Sequence, residues 1–181
     1  VTDINYERLK ERLLYDEGLI KTPYLCSAGY VTIGIGRNLE TNPLTELEIF
    51  NLLMNSKGSH SVTTMEKGEQ LKFKIEIERD FQENPLTKIE AFYLLTNDIE
   101  RVREELFSNF QWMTELRGIR QEALINMVFN LGLNGFRKFK KTIKFLKTEQ
   151  YSQASFEMLD SKWANQVGKR ANRLSTDIRE G

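Results

Sequence analysis

LYDEGLIKTPYLCSAGYVTIGIG, residues 14–36, is the stretch on which the reading of this chain turns. Leu9, Leu13 and Leu14 form a helix-like apolar approach that ends at the acidic pair Asp16 and Glu17. Gly18 follows at once and can stop a helix by taking a left-handed conformation, which delivers a carboxylate to a helix end. A Pro23-Tyr24 step and a lone cysteine, Cys26, lead into the run Tyr30, Val31, Thr32, Ile33, Gly34, Ile35, Gly36, which reads as a short, turn-bounded strand pair. A carboxylate on a helix end facing a small sheet points to a polar cleft.

The helix leading in is expected over 3–17, with Asp3 or Asn5 as its cap. Downstream, Asn38 to Asn42 form a polar turn, and a second helix follows Pro43 with Leu44, Leu47, Phe50 and Leu53 at helical spacing and Gly58 as its stop. From Ser56 to Gln70 the chain is polar. Leu71, Phe73, Ile75 and Ile77 then alternate with Lys72, Lys74, Glu76 and Glu78, the period of a strand with one wet face. Thr87 and Glu90 spell a capping box opening the longest helix, which runs to about Phe107. Beyond Trp112 the pattern is helical: Ile119 to Leu131 is nearly all apolar, so buried on most sides, and Phe136–Leu146, Tyr151–Leu159 and Trp163–Ile178 are amphipathic helices around it.

At 181 residues the chain can bury a proper core. No apolar run approaches the roughly 20 residues of a membrane span. The first residues carry no basic-then-apolar leader, which leaves a leader removed beforehand open. One cysteine excludes an internal disulfide. The 26 basic and 26 acidic residues cancel overall. They divide unevenly: residues 1–110 carry 13 Lys and Arg against 19 Asp and Glu, and residues 111–181 carry 13 against 7. A dedicated nucleic-acid binder carries a stronger basic excess, so no nucleic-acid partner is expected.

From the residues alone, Glu17 is either a solvated helix-end acid or, if buried against apolar neighbours, a general acid. Asp16 and Glu17 cannot both serve one reaction, because adjacent helical residues point in different directions. Cys26 is a small buried hydrophobe or a nucleophile, and the second role needs a basic neighbour. His60, the single histidine, lies between serines in a polar loop and is not obviously placed for it. No Cys and His spacing suits a metal, and Gly34-Ile35-Gly36 lacks the third glycine and lysine of phosphate loops. No cofactor or metal is expected.

Glu17-Gly18-Leu19 with Gly29 to Gly36 resembles the catalytic signature of the phage-type lysozymes, glycoside hydrolase family 24. Ala123 to Gly132 resembles the family's central buried helix, and Ser161-Lys162-Trp163-Ala164-Asn165-Gln166 with Arg170 and Arg173 resembles its late helix. The resemblance runs from about residue 5 to the end, apart from 56–83. It implies an α+β, two-lobe lysozyme-like fold: a lobe with a small sheet and an extra strand segment (1–86, the segment 56–83), a linking helix (87–110) and a helical lobe (111–181), with a cleft between lobes.

The resemblance further implies a hydrolase of the β-1,4 bond between N-acetylmuramic acid and N-acetylglucosamine, an endolysin made in a bacterial cytoplasm and acting on the wall in the periplasm or outside. Peptidoglycan strands are the expected partner, without membrane insertion, and the protein is expected to be a monomer. Glu17 is implied as general acid and Thr32 as the residue placing water or sugar on the opposite face. Arg170 falls where the family's arginine contacts the catalytic glutamate, and Asn130 and Arg170 are implied as supporting residues. Cys26 stands where the family has its second catalytic aspartate, so a thiol has taken that role or the role is lost. Arg37 replaces the family's histidine, with Asp98 as its expected partner. The segment 56–83 is longer than usual, and the chain ends without the usual tail. The rivals are a lytic transglycosylase using Glu17 alone and an inactive wall-binding module.

Overall fold

The computed structural model describes residues 3–26, 29–55 and 80–181. The expected strand at 71–78, the stop at Gly58 and His60 lie outside them. The fold is α+β: a small three-stranded antiparallel sheet near the N-terminus in an otherwise helical chain.

Helix α1, Tyr6–Glu17, begins where Asn5 accepts the Arg8 backbone N–H through its side-chain oxygen at 2.9 Å, and ends at Gly18 with φ 75°. Strands β1 (Ile20–Leu25), β2 (Val31–Gly34) and β3 (Arg37–Asn38) follow in that spatial order. Tyr24 pairs with Thr32, Leu25 with Val31, and Thr32 in turn with Asn38. An irregularity between Ile20 and Tyr24 puts extra residues on β1, around Pro23, which cannot donate to a ladder.

Helix α2, Glu46–Asn55, opens on a capping box the sequence reading had not named: the Thr45 N–H donates to Glu48 Oε2 at 2.9 Å, and the Glu48 N–H to Thr45 Oγ1 at 3.2 Å. The box expected at Thr87 and Glu90 is present, with distances of 2.7 and 3.2 Å, and opens the 22-residue α3, Lys88–Asn109. A short 3-10 helix (Gln111–Glu115) precedes α4 (Gly118–Phe136), which kinks at Gly132 with φ 67°. Then come α5 (Lys140–Lys147), α6 (Tyr151–Leu159), α7 (Lys162–Val167) and α8 (Lys169–Glu180).

The chain divides into two compact units, residues 17–97 and residues 1–16 with 98–181. This division cuts differently from 1–86, 87–110 and 111–181, because α1 packs with the C-terminal helices. Leu9 and Leu13 are fully buried. Arg8 grips Glu122 with two bonds of 2.7 Å, Arg12 meets Asp177 at 2.6 Å, and Arg173 meets Asp16 at 2.6 Å. The core of that unit is α4, whose residues 123–128 are all buried, as its apolar run requires. In the other unit Ile33, Ile35, Leu39, Ile49, Leu52, Leu86, Ala91, Leu94 and Leu95 form the core behind the sheet.

Candidate active site

Residues 17–97 carry Glu17, Cys26 and Thr32. Glu17 closes α1, and its side chain lies over the backbone of Gly36: a Cβ at Gly36 would sit 3.2 Å from both Glu17 Cγ and Oε2. Gly36 also has φ 76°, which disfavours any side chain there. The last glycine of the signature run is therefore what lets the acid settle on the sheet turn. That role is invisible in a string of letters, because it depends on which distant residue comes to rest on it.

Thr32 is 3% exposed, and its hydroxyl donates to the Tyr30 carbonyl at 3.2 Å. With its proton committed, the oxygen's remaining capacity is to accept, which suits it to align a water or sugar hydroxyl. Cys26 is half-buried just past β1. Its N–H donates to the Tyr30 carbonyl at 3.0 Å, and its own carbonyl accepts from the Gly29 N–H at 2.8 Å, so a tight turn holds it and the strand pairing continues through it.

Tyr24 was not singled out in the sequence. It faces Thr32 across the ladder and precedes Cys26 by two residues. Burial raises its phenol pKa, and the negative charges of Cys26 and Glu17 raise it further, so the phenol lies within electrostatic reach of both acids. The available signal was the strand period itself, which puts residues 24 and 26 on one face.

Arg37 is 4% exposed and donates to several acceptors. Its guanidinium holds both Glu48 oxygens at 3.0 and 2.8 Å and donates to the carbonyls of Asn42 and Pro43 at 2.9 and 3.2 Å. Burial works to raise the Glu48 pKa, but hydrogen bonds from Arg37, the Thr45 N–H and Asn97, with the Arg37 charge, outweigh it and hold the carboxyl below its ordinary value. Glu48 is thus a partner of Arg37 that the sequence reading missed.

The remaining supporting residues belong to the other unit. Arg170, 7% exposed, donates from Nε to Asn126 Oδ1 at 2.8 Å and from Nη2 to the Asn126 carbonyl at 3.1 Å, with Asp16 Oδ2 3.4 Å away. Asp16 accepts from Arg173 and from Asn126 Nδ2 at 3.1 Å. Asp16 is thus held in a buried arginine and asparagine cluster, while Glu17 lies on Gly36. Asn130 accepts the indole N–H of Trp163 at 2.9 Å. Asp98 is 3% exposed, 4.0 Å from Arg101 one turn on. Among the described residues no group of three or more His, Cys, Asp or Glu is placed to hold a metal ion.

The chain is similar to known proteins over most of its length. The chain is 30% identical over 176 residues to probable T4-type lysozyme 1 of Dictyostelium discoideum, covering 96% of this chain and 94% of that protein. It is 31% identical over 175 residues, with the same coverage, to probable T4-type lysozyme 2 of that organism. It is also 27% identical over 183 residues to the pre-baseplate central spike protein Gp5 of Enterobacteria phage T4, covering 96% of this chain and 28% of that protein. The family model described as phage lysozyme matches residues 15–177, from just before Glu17 to the last helix, and the chain belongs to the phage lysozyme family.

Proposed function

We propose that this protein is a muramidase that hydrolyses the β-1,4 bond between N-acetylmuramic acid and N-acetylglucosamine in peptidoglycan, with Glu17 as general acid. One observation carries the reading: within a chain of the phage lysozyme family, the Glu17 carboxyl rests on the signature glycine Gly36, in the unit that also presents Thr32 and Cys26. In this reading Glu17 gives its proton to the glycosidic oxygen as the bond to the anomeric carbon breaks, and the leaving sugar departs as an alcohol. A water held by the accepting oxygen of Thr32 adds to the anomeric carbon, and the proton it loses passes to the Cys26 thiolate. Cys26 thereby takes the place of a carboxylate, a substitution that works only while the sulfur is ionised.

Mass spectrometry of digested, purified peptidoglycan tests the reading. New reducing muramic acid ends are expected, and Glu17→Gln is expected to lower their rate of release by at least ~100-fold, the scale of a lost general acid. Anhydro-muramyl ends without reducing muramic acid would replace hydrolysis with transglycosylation. Lysis that survives Glu17→Gln would leave a wall-binding module.

A further inference from the structure

Tyr24 is a half-buried tyrosine whose hydroxyl makes no hydrogen bond to the described residues. Tyr93, also part-buried, uses its hydroxyl to accept from Asn51 at 2.7 Å. The Tyr24 hydroxyl is not among the buried unpaired atoms, so it keeps access to water and can exchange that water for an acceptor on a bound molecule. The strand geometry says where this donor is displayed. Residues two apart on a strand share a face, and so do directly opposed cross-strand partners, which puts Tyr24, Cys26 and Thr32 together on one face of the β1–β2 hairpin.

We propose that Tyr24 is a further substrate-contacting residue, its phenol donating a hydrogen bond to an acceptor oxygen of the glycan bound beside Glu17, Cys26 and Thr32. The proposal rests on the assignment of peptidoglycan as substrate. The chemistry of the place explains why a tyrosine serves. Thr32 has its proton committed to a carbonyl and can only accept, an ionised Cys26 can only accept too, and the proton of Glu17 is committed to the glycosidic oxygen. A sugar's ring oxygens and N-acetyl carbonyls are acceptors and need a donor on this face. The phenol supplies one, and burial, with Cys26 and Glu17 beside it, raises its pKa above the ordinary value of 10.0.

The test uses full-length protein and insoluble purified peptidoglycan. In a Glu17→Gln background, which separates binding from turnover, Tyr24→Phe is expected to weaken sedimentation with peptidoglycan by roughly 3–10-fold, the yield of one hydrogen bond to a neutral group. In the active protein the same change is expected to raise KM by a similar factor, with kcat and its pH profile kept, the signature of binding energy shared by ground and transition states. The ring is retained and no internal hydrogen bond is lost, so melting should be unchanged. As a second measurement, the 19F resonance of 3-fluorotyrosine at position 24 should shift when muramyl oligosaccharides are added. Equal binding of the two proteins, or a resonance that does not move at saturation, overturns the proposal. So does an unchanged KM with a displaced pH profile, which would make Tyr24 a positioning residue for the acids. If peptidoglycan is bound through Tyr24 but never cleaved, the hydrolase reading fails and this one stands.

Discussion

At residue 36 the difference between a hydrogen and a methyl group decides whether the Glu17 side chain can rest where it does. Gly36→Ala would put a Cβ 3.2 Å from the Glu17 carboxyl at φ 76°. The expected cost is about 1–3 kcal/mol of stability together with a fall in kcat larger than that loss explains, read by thermal melting beside peptidoglycan turnover. At Cys26 the prediction separates charge from bulk. Cys26→Asp, which restores an anion, is expected to keep measurable turnover. Cys26→Ser, neutral and of similar size, is expected to lose at least ~100-fold, as does alkylation of the one thiol. Alkylation alone would also block the site sterically, so the three are to be assayed side by side. Part of this was readable in advance: Glu17 and Cys26 stand out by residue type and position, and Thr32 enters through the family resemblance. Tyr24 and the reason for Gly36 did not, because both depend on which groups the fold brings within reach of them.

Capping boxes mark how element starts were spelled. Thr87 and Glu90 were legible, and the structure bears them out. Thr45 and Glu48 follow the same rule but were hidden by Pro43, which already explained a helix start, and by the second task of Glu48 as the buried partner of Arg37. Thr87→Ala is expected to cost about 1 kcal/mol, seen in chemical denaturation. For Glu48 the sign follows from its lowered pKa. The folded state binds its proton more weakly than the unfolded chain, so the group stabilises fully above the ordinary value of 4.5 and loses that contribution as pH falls through its folded value. Glu48→Gln should therefore lower the melting temperature at neutral pH and flatten its decline below pH 4.5, where the native protein gives up this interaction. Glu48→Ala removes a carboxylate that holds a buried guanidinium through two bonds and is expected to cost about 3–5 kcal/mol.

Across the whole molecule the charges are sorted by position in the chain, with 13 basic against 7 acidic residues over 111–181. Peptidoglycan carries carboxylates, so turnover should fall severalfold as salt is raised from about 0.05 to 0.5 M, where the screening length shrinks to a few ångströms. Glu17→Gln protein should desorb from the wall over the same range. The helical content and the small sheet could be anticipated from periodicity. The membership of α1 could not, since amphipathic spacing says that Leu9 and Leu13 are buried without saying against what. Arg8 finds Glu122, and Arg12 finds Asp177, 114 and 165 residues further along. That has a consequence for how the protein is made. Of the elements described, α1 leaves the ribosome before its partners on α4 and α8, so it waits as an unpartnered amphipathic segment until they emerge. The amino-terminal helix is thus the final piece docked, and any truncation near the carboxyl end should read as a failure to close the unit that begins at residue 1.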